Sequence, residues 1–107
     1  MEIIQELYGI ALQRKKQPEE GSYTCYLFQK GLDKILKKCG EECSEMIIAA
    51  KNENHVELKS EIADLIYHIV VLCVESGLDW NEVDELLTER RNKIGNLKPM
   101  RVTDKNT

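Results

Sequence analysis

The chain has 107 residues, enough for one domain, with 19 acidic and 15 basic side chains and a formal net charge of −4. That balance excludes the basic footprint expected of a nucleic-acid binder. The apolar stretch from Ile62 to Val74 contains Asp64 and His68 and is too short to cross a bilayer, which argues against a membrane protein.

Aromatics at 6%, two prolines and charged residues at 32% suit a helical protein with salt-laced surfaces. The opening MEIIQELYG lacks a basic n-region and a long apolar core, so no secretory signal is expected. Cys25, Cys39, Cys43 and Cys73 form neither a Cys-x-x-Cys pair nor a regular framework. They read as reduced thiols of a cytoplasmic protein, acting mostly as small apolar residues.

Ile4, Leu7, Tyr8, Ala11 and Leu12 recur at 3–4 spacing and predict an amphipathic helix over about residues 2–16. Its basic end, Arg14-Lys15-Lys16, suits a helix C-terminus. Pro18 and Gly21 mark a loop, and a short helical turn follows over about 24–30, closed by Gly31. A long helix is expected from Asp33, a fair N-cap. Its Ile35, Leu36, Cys39, Cys43, Met46, Ile47 and Ala50 share an arc of roughly 120°. Glu42 and Glu45 border that arc, and Glu41 lies further out. The next helix, about 56–76, is apolar around most of its circumference, broken by one polar stripe of Glu61, Asp64, His68 and Glu75. Such a helix needs cover on several sides, which a domain this small has trouble supplying. A homo-oligomer, a dimer or larger, is therefore expected. After Gly77 a last helix begins near 79–81, carries Val83, Leu86, Leu87 and Ile94, and ends at Gly95. Residues 1–97 form the expected all-α domain of four to five helices, and 98–107 an expected disordered tail.

The chemistry concentrates in GEECSE and EIAD, which read as Glu-Glu-x-x-Glu followed by Glu-x-x-Asp. Residues three apart on a helix share a face. Two antiparallel helices would thus gather Glu42, Glu45, Glu61 and Asp64 around one point. Like charges in a low-dielectric seam call for a counterion, and an all-oxygen donor set favours Mg²⁺ or Mn²⁺ over zinc. Salt-bridged acids are the competing reading. His68 suits either a hydrogen-bonded interface or a phosphate contact, and Lys37 and Lys38 either solvent or phosphates. Gly40 inside a helix, at a cost of about 1 kcal/mol relative to alanine, points to close approach of a backbone or substrate, or to helix irregularity. Arg14, with Ser22, Tyr23, Thr24 and Lys30 downstream, is a candidate cradle for a second phosphate.

The strings RKKQPEEGSYTCYLFQKGLDKILKKCGEECSEMIIAAKN and EIADLIYHIVVL resemble the phosphoribosyl-ATP pyrophosphatases of histidine biosynthesis. That family lies within the all-α MazG-like group of nucleoside triphosphate pyrophosphatases. The acidic pattern is common to the whole group. The narrower signal is Gly21-Ser22-Tyr23-Thr24 with Gly31-Leu32-Asp33 and Lys38-x-Gly40-Glu41-Glu42. The resemblance, over about residues 4–92, implies hydrolysis of 1-(5-phosphoribosyl)-ATP to 1-(5-phosphoribosyl)-AMP and pyrophosphate. It implies Glu42, Glu45, Glu61 and Asp64 as Mg²⁺ ligands, with Glu41 orienting or deprotonating the attacking water. The expected partners are a small nucleotide substrate and, as the next enzyme of the pathway, a phosphoribosyl-AMP cyclohydrolase, for which 107 residues leave no room. The alternatives are a house-cleaning pyrophosphatase for other nucleotides and a helical oligomerisation module without enzymatic activity.

Overall fold

The structure, a computed structural model, describes residues 2–93. Five helices follow in order: α1 Glu2–Lys16, α2 Tyr23–Lys30, α3 Leu32–Lys51, α4 His55–Ser76 and α5 Trp80–Arg91. No strand occurs among the described residues. The all-α expectation and the order of helices hold. Ile94, Gly95 and the tail from Lys98 lie outside the described residues.

Helix α2 starts where Ser22 Oγ accepts the Cys25 N–H at 3.2 Å, leaving the Ser22 backbone extended. It ends at Gly31, whose φ of 92° lies in a region closed to most side chains. The same glycine precedes α3, so two helices turn about one residue. Asp33 is consequently not the N-cap expected of it. It sits in the first turn of α3, where its carboxylate favours the helix dipole.

Helices α3 and α4 form a long hairpin, the most extensive packing in the fold. The connection at 52–54 is short enough to make them antiparallel. Glu53 takes a φ of 54° there, and Asn54 Oδ1 caps α4 by accepting the Glu57 N–H at 3.1 Å. The Asn pair thus ends one helix and starts the next. At the far end of α4, Gly77 adopts a left-handed conformation with a φ of 73°. The Leu78 N–H returns to the Cys73 carbonyl at 2.9 Å, the closure that redirects a chain after a helix. Asp79 and Glu82 then form a reciprocal capping box that opens α5.

The core has two parts. Ile4 and Ala11 of α1 pack with Val70, Cys73 and Val74 of α4 and with Trp80, which anchors α5. Nothing in the hydrophobic periodicity singled out Trp80 as core. Leu27 of α2, Ile35 of α3 and Val71 of α4 form the second cluster, all three fully enclosed. Lys15 reaches Glu75 at 3.1 Å and ties the end of α1 to that of α4.

The cover expected around α4 is incomplete within one chain. Ile62 and Val56 are exposed, as are Leu36, Ile47 and Ile48 on α3. The arc read on α3 is therefore divided. Ile35 is buried and Cys39 and Met46 are half-buried, whereas Leu36, Cys43, Ile47 and Ala50 face out.

Leu27→Ala removes the side chain that fixes α2 to the α3–α4 hairpin. It should cost about 2–5 kcal/mol in chemical denaturation. A loss below about 1 kcal/mol would mean that α2 is not held by this cluster.

Candidate metal and substrate site

The buried positions of α3 are Ile35, Glu42 and Ala49, each seven residues from the next, a stripe that faces α4. A carboxylate therefore stands in the middle of an otherwise apolar seam, and Glu42 is only 7% exposed. Glu45, three residues on, is exposed on the same helix, and Glu61 approaches half-buried from α4. One carboxylate oxygen from each of Glu42, Glu45 and Glu61 lies within 4.8 Å of the other two.

Two observations show that this cluster wants positive charge. The Oε2 atoms of Glu42 and Glu61 are buried without a hydrogen-bond partner, a costly state for a carboxylate. Sharing a hydrogen bond with Glu61, and repulsion from it, raise the Glu45 carboxyl above the usual range. A proton shared with Glu42 does the same to Glu61, since two carboxylates can bond to each other only through a proton. None of the ion pairs among the described residues reaches these three acids. The competing salt-bridge reading thus lacks its cations here. Three hard oxygen donors, two of them from carboxylates with a buried unpartnered oxygen, fit Mg²⁺ or Mn²⁺.

The remaining sequence candidates distribute around this cluster. Asp64 is exposed one turn beyond Glu61, outside the three-oxygen group. Glu41 is exposed and paired with Lys38 at 3.8 Å. Lys37 points to solvent. Arg14 pairs with Glu19 at 3.4 Å, and Lys30 lies 5.8 Å from the centre of the Tyr26 ring. The candidate cradle does not converge as a unit: Ser22 Oγ caps α2, and Thr24 is buried.

Tyr23 and His68 are brought together. The Tyr23 hydroxyl lies 2.8 Å from His68 Nε2, and His68 Nδ1 lies 2.8 Å from the Asp64 carbonyl oxygen. His68 is 5% exposed. Its bond to Tyr23 crosses between helices, joining α4 to the start of α2. Tyr26 stacks on Tyr23, with ring centres 6.1 Å apart and planes at 25°. Sequence reasoning passed over Tyr26, although its spacing of three from Tyr23 was a signal that both share one face of a helix.

The raised carboxyls give a pH dependence with a definite sign. Protons stay on Glu45 and Glu61 more readily in the folded chain than in the unfolded one. Metal-free stability is therefore fullest below the ordinary glutamate value of 4.5 and falls as pH rises through the raised values. Glu45→Gln removes part of this loss. Its metal-free melting temperature should gain on the parent's as pH climbs from about 4.5 toward neutrality, and its stabilisation by Mg²⁺ should weaken. Parallel pH profiles and an unchanged Mg²⁺ response would contradict the shared-proton cluster.

Comparison with known proteins identifies the family. The family model described as phosphoribosyl-ATP pyrophosphohydrolase matches residues 4–91. The chain is 52% identical over 101 residues to a phosphoribosyl-ATP pyrophosphatase of Clostridium novyi, covering 94% of this chain and 92% of the relative. It is 56% identical over 101 residues, with the same coverage, to one from Clostridium botulinum strain Kyoto. A Streptococcus gordonii relative of that name is 54% identical over 91 residues, covering 85% of this chain and 88% of its own length. The chain belongs to the phosphoribosyl-ATP pyrophosphohydrolase family.

Proposed function

We propose that this chain hydrolyses 1-(5-phosphoribosyl)-ATP to 1-(5-phosphoribosyl)-AMP and pyrophosphate, a step of histidine biosynthesis. Family membership supports the substrate. The observation that carries the chemistry is the trio Glu42, Glu45 and Glu61 with two buried, partnerless oxygens. In this reading these residues hold Mg²⁺, with Asp64 as a further ligand from the next turn of α4. When bound, the ion would neutralise triphosphate oxygens and make a coordinated water more acidic.

The chain's own side chains do the rest. Glu41 lies beside the cluster on α3 and accepts the proton of the attacking water. Its present partner, Lys38, with Lys37 beside it, turns to the departing pyrophosphate and offsets the charge that develops there. The water attacks the α-phosphorus, the bond to the bridging oxygen breaks, and pyrophosphate leaves.

The exposed apolar residues support assembly with a second copy. Leu36, Cys43, Ile47 and Ala50 of α3 repeat at alternating spacings of seven, four and three, the pattern of a helix-packing seam. Ile47 is 59% exposed and Val56 74%, burdens that pairing would relieve. Gly40 lies on the same face with open space around its Cα, which suits a close helix approach. No described helix is long and apolar enough to cross a membrane. Four free thiols fit the reducing cytoplasm as its location.

Two experiments test this reading. Pyrophosphate release with Mg²⁺ should be strongest for phosphoribosyl-ATP when compared with ATP, dUTP and dCTP, and Glu61→Gln should lose at least about a hundredfold in rate. Equal turnover of dUTP would replace the substrate assignment with the house-cleaning one. Ile47→Lys should convert the assembly to a smaller species in analytical ultracentrifugation; an unchanged sedimentation coefficient would remove this face from the interface.

A further inference from the structure

We propose that the cavity between α1 and α2 is the subsite for the ribose-and-base half of a purine nucleotide, with Tyr23, aimed by His68, at its boundary with the carboxylates. The inference rests on the pyrophosphohydrolase reading and concerns the adenosine portion of that substrate.

The cavity has a volume of about 980 Å³ and is walled by Tyr23, Tyr26 and Phe28 together with the loop that follows α1. That is room for a nucleoside-sized ligand. The Tyr23 and Tyr26 rings stack on each other, are both exposed along one wall, and form an aromatic ledge bordered by Lys30, 5.8 Å from the Tyr26 ring centre. Planar bases stack on such surfaces.

Charge argues against a phosphate in the same place. Arg14 is paired with Glu19 at 3.4 Å, and Lys15 with Glu75 at 3.1 Å. Glu20 adds a further acid to the wall. Each cation is matched, so the lining offers no net positive charge to an anion. A heteroaromatic ring and an uncharged sugar suit it better, and the triphosphate is left to the lysines of α3.

Tyr23 locates the boundary. Its hydroxyl meets His68, which stands on the stripe of α4 that carries Glu61 and Asp64, so the ledge adjoins the acidic stripe. The hydrogen bonds behind it fix what it can recognise. A carbonyl oxygen only accepts, so His68 Nδ1 carries the proton that goes to Asp64 O. With the proton on Nδ1, Nε2 is the accepting nitrogen, and the Tyr23 hydroxyl donates inward to it. Outward, the phenolic oxygen presents only lone pairs. It accepts a hydrogen bond from a ribose hydroxyl and repels a phosphate oxygen. His68 touches no ligand in this arrangement: it is a positioning residue that acts through Tyr23.

The test uses AMP, 2′,3′-dideoxy-AMP and inorganic pyrophosphate as calorimetric probes of the Mg²⁺-loaded protein. Tyr26→Ala should weaken AMP about tenfold, within the range that base stacking supplies, and leave pyrophosphate within about twofold. Tyr23→Phe should weaken AMP by roughly two- to tenfold, the loss of one hydrogen bond, and leave the dideoxy nucleotide unchanged. Adding His68→Gln to Tyr23→Phe should cost AMP nothing more, because the two act as one unit. Unchanged AMP binding in Tyr26→Ala, or an equal loss for pyrophosphate, overturns the subsite. Equal losses for AMP and its dideoxy form in Tyr23→Phe overturn the hydroxyl contact, and that variant decides the point even if His68→Gln fails to fold. Pyrophosphate release from phosphoribosyl-ATP by the parent protein separates this inference from the reading beneath it. Release together with Tyr26-independent AMP binding removes the subsite alone, and no release together with Tyr26-dependent binding removes the reaction alone.

Discussion

A single buried carboxylate sets the terms for the rest of this molecule. Glu42 occupies the position in the α3–α4 seam that an apolar side chain would fill in an ordinary hairpin, with Ile35 one heptad before it and Ala49 one heptad after. Placing a charge there is unfavourable unless something compensates it. No cation from the described chain does so, and Glu45 and Glu61 crowd it with more negative charge. The seam is held by the apolar clusters around it and by the caps at both ends of the hairpin. Those contacts carry the stability that allows the acids to remain close, a division of labour common at sites where local energetics are sacrificed to chemistry.

In the proposed site, the short second helix supplies the other half. Gly31 lets α2 end and α3 begin about one residue, and Leu27 fixes α2 against both long helices. The two tyrosines on its exposed face are thereby set beside the acids without contributing to the core. His68 links the two regions, because it sits on the same stripe of α4 as Asp64 and Glu61 and reaches across to Tyr23. Through Tyr23, which lines the α1–α2 cavity, and the Asp64 carbonyl, this buried histidine connects the cavity to the acidic stripe of α4.

Much of this was legible in the sequence, for identifiable reasons. Amphipathic spacing and Gly-rich punctuation located all five helices, and the three-residue spacing of the acids put Glu42 and Glu45 on one helix and Glu61 and Asp64 on the next, although of the four acids expected to converge only Glu42, Glu45 and Glu61 do so. The N-cap of α3 was misplaced because Gly31 already served α2, a tertiary economy that a local rule cannot register. The apolar arc of α3 read as one face, yet the structure divides it between this chain's core and an open seam. Periodicity records that a face is apolar, not which partner covers it. The Tyr23–His68 bond spans 45 positions, and no local pattern announces it. Trp80 was hidden for a similar reason, since it stands alone at the start of α5 and its burial depends on α1 and α4.

The central claim is that the orphaned oxygens of Glu42 and Glu61, with Glu45, form a divalent-cation site. Anomalous scattering from crystals equilibrated with Mn²⁺ tests it most directly. The account predicts a single strong peak per chain among these three carboxylates, at distances of about 2–2.3 Å from their oxygens. A peak elsewhere, or none at saturating Mn²⁺, would contradict it and leave the acidic seam without the counterion on which the proposed chemistry depends.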